Sequence, residues 1–428
     1  MSSPVRTGTR TVQRSPQETA WRRTADVCVV GSGAAGISAA LESARLGKRV
    51  VLVDALPALG GQIVNSVIGT IVGLFSNDDR QLTHGIADDI LRDLGSQGAI
   101  AFKRTHTMIV LYDEVALARW IERAVRTEGI VPLLGATMRR VHREGARVTA
   151  LEFVSRYGDV VVEADGFVDA TGDAALCWQA GQPCREPADG PIYGSQMVVV
   201  ENVQSTDDFP GKQELSDRLA AKGESYGLVR RAGLAFAFPG RGTALVNMTH
   251  IDTPLDPFAV SLSGIDGKQQ ADRALDFLRA EYPAIFGQAT VRAYGLPGIR
   301  QTRWIVGRKQ LTVDEVRAGT RFPDSIARTA WPIELHDSLE GVTWEPFGKD
   351  HLHYVPYRSL TPSELENVLA VGRCIDADSA ALSSVRVIGP CIAMGAAAAQ
   401  ALDLTGSGST HAVDIPALRN RVSNNLDG

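Results

Sequence analysis

Paired cysteines are missing from this chain. Five cysteines, Cys28, Cys177, Cys184, Cys374 and Cys391, are scattered over 428 residues, and no two form a CxxC or CxxxxC pair. Neither a local zinc site nor a dithiol redox centre is therefore encoded. Buried thiols in a reducing cytosol are the expectation, and a cytoplasmic location with them. A charge excess is missing as well. The 44 basic and 49 acidic residues leave a formal net charge of -5, which gives no electrostatic ground for nucleic acid or an anionic membrane as partner. Long apolar runs are few. Ile63 to Phe75 is broken by Asn65, Ser66 and Thr70 and is too short to cross a bilayer, so no membrane span is expected. Arg22-Arg23 stand before an apolar run, Val27–Val30, that is too short for the core of an export signal. No internal repeat is evident, and no spacing of ligating residues asks for a metal. What remains is an ordinary globular composition, 44% hydrophobic and 22% charged, in a chain long enough for two domains.

The stretch Val29-Val30-Gly31-Ser32-Gly33-Ala34-Ala35-Gly36 carries three glycines in GxGxxG spacing. The spacing alone is weak, and its surroundings give it meaning. ADVCVVG is a short apolar run, typical of a buried parallel strand. From Ala34 to Leu46 small and apolar residues recur at helical spacing, and Gly47-Lys48 ends the helix. RVVLVD then reads as a second buried strand. Strand, turn, helix and strand within about thirty residues make a dinucleotide-binding unit. Gly31 allows the tight turn, Gly33 lets the backbone approach a pyrophosphate, and Gly36 lets helix and strand pack closely. The helix N-terminus, at Ala34 and Ala35, presents free N–H groups and about half a positive charge to phosphate. Asp54 ends the second strand, where a carboxylate can accept from ribose hydroxyls and repels a 2′-phosphate. This unit alone leaves FAD and NAD both open.

Three later segments choose by resemblance. LPALGGQ holds the doublet Gly60-Gly61 after the acidic strand, as FAD-dependent oxidoreductases do, although its neighbours Leu59 and Gln62 supply no arginine for phosphate. ADGFVDATGDAAL (Ala164–Leu176) resembles the strand and ATG turn that run close to FAD in the same group. Glu366–Leu402 resembles the C-terminal FAD segment: a strand, Gly372-Arg373, then a helix opening after Gly389-Pro390 with its positive end toward the flavin. With GLPGIRQTRWIVGRKQLTVDEV and HYVPYRSLTP added, the chain from about Ala25 to Leu402 resembles FAD-dependent oxidoreductases of the glutathione-reductase-like and succinate dehydrogenase/fumarate reductase flavoprotein superfamily. The resemblance implies an α/β fold: a Rossmann-like FAD-binding domain with a mixed sheet and a β-meander, plus an inserted α+β substrate domain. It implies FAD as cofactor, held by Gly31, Gly33, Ala34, Ala35, Gly36, Asp54, Ala55, Gly61, Gln62, Ala170, Thr171, Gly172, Gly372, Arg373, Arg386, Gly389, Cys391 and Ile392.

The expected organisation is a loose tail over 1–23, a discontinuous FAD-binding domain over 24–185 and 356–405, a cap over 186–355, and a second tail over 406–428. Tyr112–Gly129 reads as an amphipathic helix, and the strands after it turn at Arg156-Tyr157-Gly158-Asp159. A second GxGxxG for an NAD(P)H domain is absent, which excludes the flavoprotein disulfide reductases. The expected activity is that of a dehydrogenase or oxidase moving hydride between a small polar substrate and flavin N5. A flavin-dependent monooxygenase and an FAD-carrying subunit of a larger electron-transfer complex stay open, as do a homo-oligomer and a partner redox subunit. Arg300 and Arg303 in GIRQTR are candidates to grip a carboxylate. His351 and His353 share one face of a strand and are candidate bases. The resemblance sets His353, Tyr354 and Tyr357 near the flavin, and Tyr357 is a further catalytic candidate. His336-Asp337 ranks lower, because adjacent strand residues face opposite ways.

Overall fold

The first strand is longer than its apolar signature. In the computed structural model, which describes residues 8–13, 19–204 and 209–427, it spans Trp21–Val30. Trp21 to Thr24 are exposed and polar in pattern. They form a strand because the backbone of Gly158–Asp169 lies alongside, in parallel register from Trp21↔Val160 to Val30↔Asp169. On its other side only Val27 to Val30 pair, with Val50 to Val53. Three residues assigned to the tail, Trp21 to Arg23, thus belong to the sheet.

That strand is central. The seven-stranded sheet runs in the order Val131–Leu134, Val50–Asp54, Trp21–Val30, Gly158–Asp169, Arg147–Ser155, Ala136–Glu144, and Val368–Ala370 also joins Gly158–Asp169 in parallel. The last three of the ordered strands are the antiparallel meander. Val27 and Val29 face one core while Cys28 and Val30 face the other. Burial on both faces explains why the run is continuously apolar rather than alternating.

Two helices lie side by side on one face. Ala34–Arg45 follows the glycine turn, and Ile388–Thr405 comes from the far end of the chain. Small residues let their backbones approach. A Cβ at Gly395 would overlap the carbonyl oxygen of Ala35 and sit 2.9 Å from the Ala39 nitrogen. Ser38 Oγ donates to the Ile392 carbonyl at 2.7 Å across the same contact. Ile388–Thr405 is long and apolar enough to cross a membrane, but 78% of it is buried inside the protein, as befits a core helix. It starts just before the predicted opening, with Pro390 in its first turn, where a missing N–H is harmless.

The cap is a four-stranded antiparallel sheet in the order Leu234–Phe238, Thr243–Asn247, Val198–Glu201, Thr290–Tyr294, covered by the helix Pro257–Glu281. Val198, Val200, Ala235, Ala244 and Val246 pack on Phe277 and Leu278 of that helix. The alternate residues Met197, Val199, Leu234, Phe236 and Leu245 face the main domain instead. The bridges Gly194↔Ile251 and Ser195↔Gly298 close the base of the cap. After Gly298 the chain returns. Ser325–Thr329 pairs with His353–Pro356, and Ile326, Ala327, Tyr354 and Val355 join the core that also holds the glycine-turn helix. The cap is therefore shorter than 186–355.

Candidate active site

Four parallel strands end at one cavity of about 730 Å³, and the apolar face of the cap sheet forms its roof. Open sheets of this kind hold ligands at the carboxyl ends of their strands. Gly31, Asp54, Ala170 and Val371, each at such an end, all line it. Gly31 has φ +101, and a Cβ there would overlap the Ala170 carbonyl, so the turn requires glycine. A Cβ at Gly36 would overlap the Gly31 carbonyl. A Cβ at Gly33 meets nothing within 4 Å and points into open space. The Gly60-Gly61 loop crosses over the turn, with the Gly60 N–H on the Ser32 carbonyl at 3.1 Å. Asp54 ties the turn down, since its Oδ2 accepts from the Ser32 amide (2.8 Å) and hydroxyl (2.6 Å) and its Oδ1 from the Leu56 amide at 2.8 Å.

These features fit FAD. The empty cradle before Gly33 and the free amides of the helix start suit a pyrophosphate. The Arg373 guanidinium lies flat over Gly172, where a Cβ would strike it. Its Nη1 makes only a long ion pair to Asp173 at 3.6 Å, and the buried Nε of Arg386 has no hydrogen-bond partner. Buried donors without partners are rare and call for acceptors from a ligand. Of the residues expected around the cofactor, Gly31, Gly33, Ala34, Ala35, Asp54, Gly61 and Gln62 line the cavity. So do Ala170, Thr171, Gly172, Gly372, Arg373, Arg386 and Cys391. Four do not. Gly36 lies beneath the turn, Ala55 is exposed beyond Asp54, Gly389 packs on Gly73 with its N–H on the Val72 carbonyl, and Ile392 faces the core.

At its polar end the wall gathers charge. Arg300 donates from Nη1 to the Tyr193 carbonyl at 2.7 Å and from Nη2 to Ser195 Oγ at 2.9 Å. Burial, with the charges of Arg386 and Arg230, pushes its pKa well below the usual arginine value. Burial likewise brings Arg230 and Arg386 down to about 10. Arg230 is anchored on Asn247 Oδ1 at 2.8 Å and also keeps a buried, unpartnered Nε. Glu334 is the carboxylate that offsets all three. Its Oε2 accepts from the Trp331 indole at 3.1 Å, and its Oε1 lies 3.4 Å from His336 Nε2.

Behind Glu334 the histidine tautomers follow from their partners. His250 Nδ1 meets the Leu339 carbonyl at 2.8 Å and must carry a proton. Its Nε2 then accepts from His336 Nδ1 at 2.9 Å. That leaves His336 Nε2 as an acceptor turned toward Glu334. One proton fits between them. Burial and the neighbouring arginines keep both rings neutral, with His250 down to about 3 and His336 well below its usual value. Tyr193 stacks on His250 with centroids 5.6 Å apart.

Arg300 thus lies at the cavity, but the other three candidate catalytic residues do not. His353 is fully buried, between His351 Nε2 (3.2 Å to its Nδ1) and Ser384 Oγ (2.8 Å from its Nε2), and burial lowers its pKa to about 3. Phe347 stacks on His351 at 4.0 Å. The Tyr357 hydroxyl donates to the Thr410 carbonyl at 2.9 Å, and burial pushes its pKa up. Pairing with Ser325–Thr329 turns His353–Pro356 into the main core rather than to the cavity, with His351 just before that strand and Tyr357 just after it. Arg303 points elsewhere, to Glu186 at 3.3 Å and over the Trp178 ring. The residues missed are Glu334, His250 and Arg230, and His336 was ranked low because it was paired with Asp337 rather than Glu334. The one available signal was Glu334 and His336 spaced by two, which puts both on one side of an extended chain. Among the described residues no group of three or more His, Cys, Asp or Glu side chains is arranged to hold a metal ion.

A family model described as FAD dependent oxidoreductase matches residues 26–422. The L-aspartate oxidase of Mycobacterium tuberculosis is 23% identical over 339 residues, 66% of this chain and 62% of that protein. The chain thus spans 62% of the length of the curated relatives it matches. Among solved structures, a flavin-dependent brominase shares 13% identity with a TM-score of 0.51, over 94% of this chain and 84% of its own. A geranylgeranyl bacteriochlorophyll reductase-like protein from Thermoplasma acidophilum shares 14% identity with a TM-score of 0.49, over 94% and 83%. At such identities the structural likeness to the brominase speaks to the fold alone.

Proposed function

The chain belongs to the FAD dependent oxidoreductase family, and from that premise we propose that it oxidises or desaturates a small carboxylic acid held by Arg300. FAD is the cofactor, and when bound it accepts the electron pair. We assign its pyrophosphate to the turn at Gly31–Ala35, its ribose to Asp54, and further contacts to Gly61, Gln62, Thr171, Gly172 and Arg373.

The observation that carries this reading is the imbalance at the polar end. Three guanidiniums, the buried Arg230 and the half-buried Arg300 and Arg386 on the cavity wall, lie around the Glu334 carboxylate. A buried cation without a full complement of partners is costly, and a substrate carboxylate supplies one with charge-assisted hydrogen bonds. Glu334 then takes or returns the substrate's proton at Oε1, and His336, fixed by His250, orients that carboxyl. This role passes to Glu334 from the His351/His353 pair. The likeness to proteins named L-aspartate oxidase supports an acid as substrate.

The test is anaerobic mixing of the yellow protein with amino, hydroxy and saturated carboxylic acids, with uncharged amines, alcohols and sugars as comparison. Bleaching of the flavin band by acids, and by acids alone, is the expected result. Equal bleaching by an uncharged alcohol, or rapid reduction by NADPH with no acid present, would overturn the reading.

A further inference from the structure

The arginines account for one end of a ligand, and the rest of the wall is of different character. Leu234, Phe236 and Met197 hang from the cap sheet on the face away from its helix. Trp331 and Trp344 line the same cavity and meet edge to face with centroids 5.8 Å apart at 87°. Phe236 and Trp344 both pack on the apolar cluster of Ile109, Trp331 and Val387. The indole N–H of Trp331 is already spent on Glu334. The Lys212 ammonium lies 4.2 Å over the Trp344 ring and the Lys103 ammonium 4.8 Å over the Phe236 ring, so both cations are already engaged with aromatic faces.

A short dicarboxylate would set its second charge against this aromatic wall. Burying a charge without a partner is strongly unfavourable. A flat ring gains there instead, by apolar burial and by edge-to-face contact with the indoles. We infer that the substrate is a carboxylic acid with an aromatic or similarly flat apolar body, its carboxylate on Arg300 and its body between Phe236 of the cap and the Trp331/Trp344 wall. Phe236 and Trp344 are then specificity-determining residues. This rests on the acid-oxidising reading above.

The experiment measures binding rather than turnover. FAD-loaded full-length protein is titrated with acetate, succinate, L-aspartate, phenylacetate and 3-phenylpropionate, and the flavin absorption band reports occupancy. The expected result is that 3-phenylpropionate binds at least about tenfold tighter than succinate, a difference of about 1.4 kcal/mol. Phe236→Ala is expected to remove most of that preference. Phe236→Leu, which keeps an apolar side chain, retains part of it and guards against a folding defect in the alanine variant. Tighter binding of succinate or L-aspartate through Arg300 overturns this inference and leaves the acid reading standing. So does a Phe236→Ala variant that alters the flavin band or FAD retention without changing the order of the acids, since the wall would then pack only the cofactor. If no acid perturbs the band and Arg300→Ala changes nothing, both readings fall together.

Discussion

Gly33 and Gly36 sit three residues apart and answer to different constraints. The space before Gly33 is empty, whereas Gly36 has a backbone carbonyl where its side chain would be. Gly33→Val is therefore expected to fold with a melting temperature near that of the unaltered apoprotein, and to purify colourless. Gly36→Val should lose both flavin and stability. The ratio of flavin to protein absorbance, with apoprotein melting curves, separates the two, and stoichiometric flavin in Gly33→Val would contradict the assignment of the cradle. At the other end of the cavity, Arg300→Ala removes charged hydrogen bonds each worth about 1.5–3 kcal/mol. The KM for the acid should rise roughly tenfold or more while FAD content stays constant. Arg300→Lys keeps the charge without the fork and should recover only part. Gly31 and Gly36 were legible in the sequence because backbone sterics dictate them. Glu334 was not, and His336 was ranked low, because which side of a short strand meets the cavity depends on how the cap closes over it.

The two packed helices, Ala34–Arg45 and Ile388–Thr405, lean on each other through residues with almost no side chain. Gly395→Val would push against the Ala35 carbonyl, in the first turn of the helix that presents its amides to phosphate. The expected loss is about 1–3 kcal/mol of stability, the usual effect of overpacking, together with weaker flavin retention. Urea unfolding and flavin titration check the two effects, and a variant that loses stability with unchanged flavin affinity would uncouple this contact from the cradle. Element identity was largely readable from the chain: glycine turn, helix, buried strands and meander all follow period and punctuation. Element ends were less so. Trp21 to Thr24 are strand because a longer neighbour zips onto them, and that neighbour lies far away in sequence. The same non-local pairing misled the reading of His351 and His353. The strand starts only at His353, so His351 lies outside it and the two share no strand face, and Ser325–Thr329 turns His353 into the core.

The molecule as a whole buries several neutral histidines, and this sets its response to acid. His250 and His353 have folded values of about 3 against an ordinary 6.5, through burial. Between those limits the unfolded chain binds more protons than the folded one, so stability rises with pH there and falls as acid is added. Each such group contributes a slope of up to about 1.4 kcal/mol per pH unit. Unfolding free energies across pH 4–7 should therefore decline toward acid, and His353→Gln, which cannot charge, should flatten the decline by up to that slope. A slope unchanged in the variant would mean His353 is protonated in the native state. The length of the cap was not legible in the sequence, because the chain beyond Gly298 re-enters a core that also holds Val27, Val29 and Ile37, hundreds of residues earlier. The contact of Gly395 with Ala35 has a temporal side. On a ribosome the glycine turn is made roughly 350 residues before the helix that braces it. A product that stops short of Gly395 would carry the turn without its brace, and is expected to hold flavin more weakly.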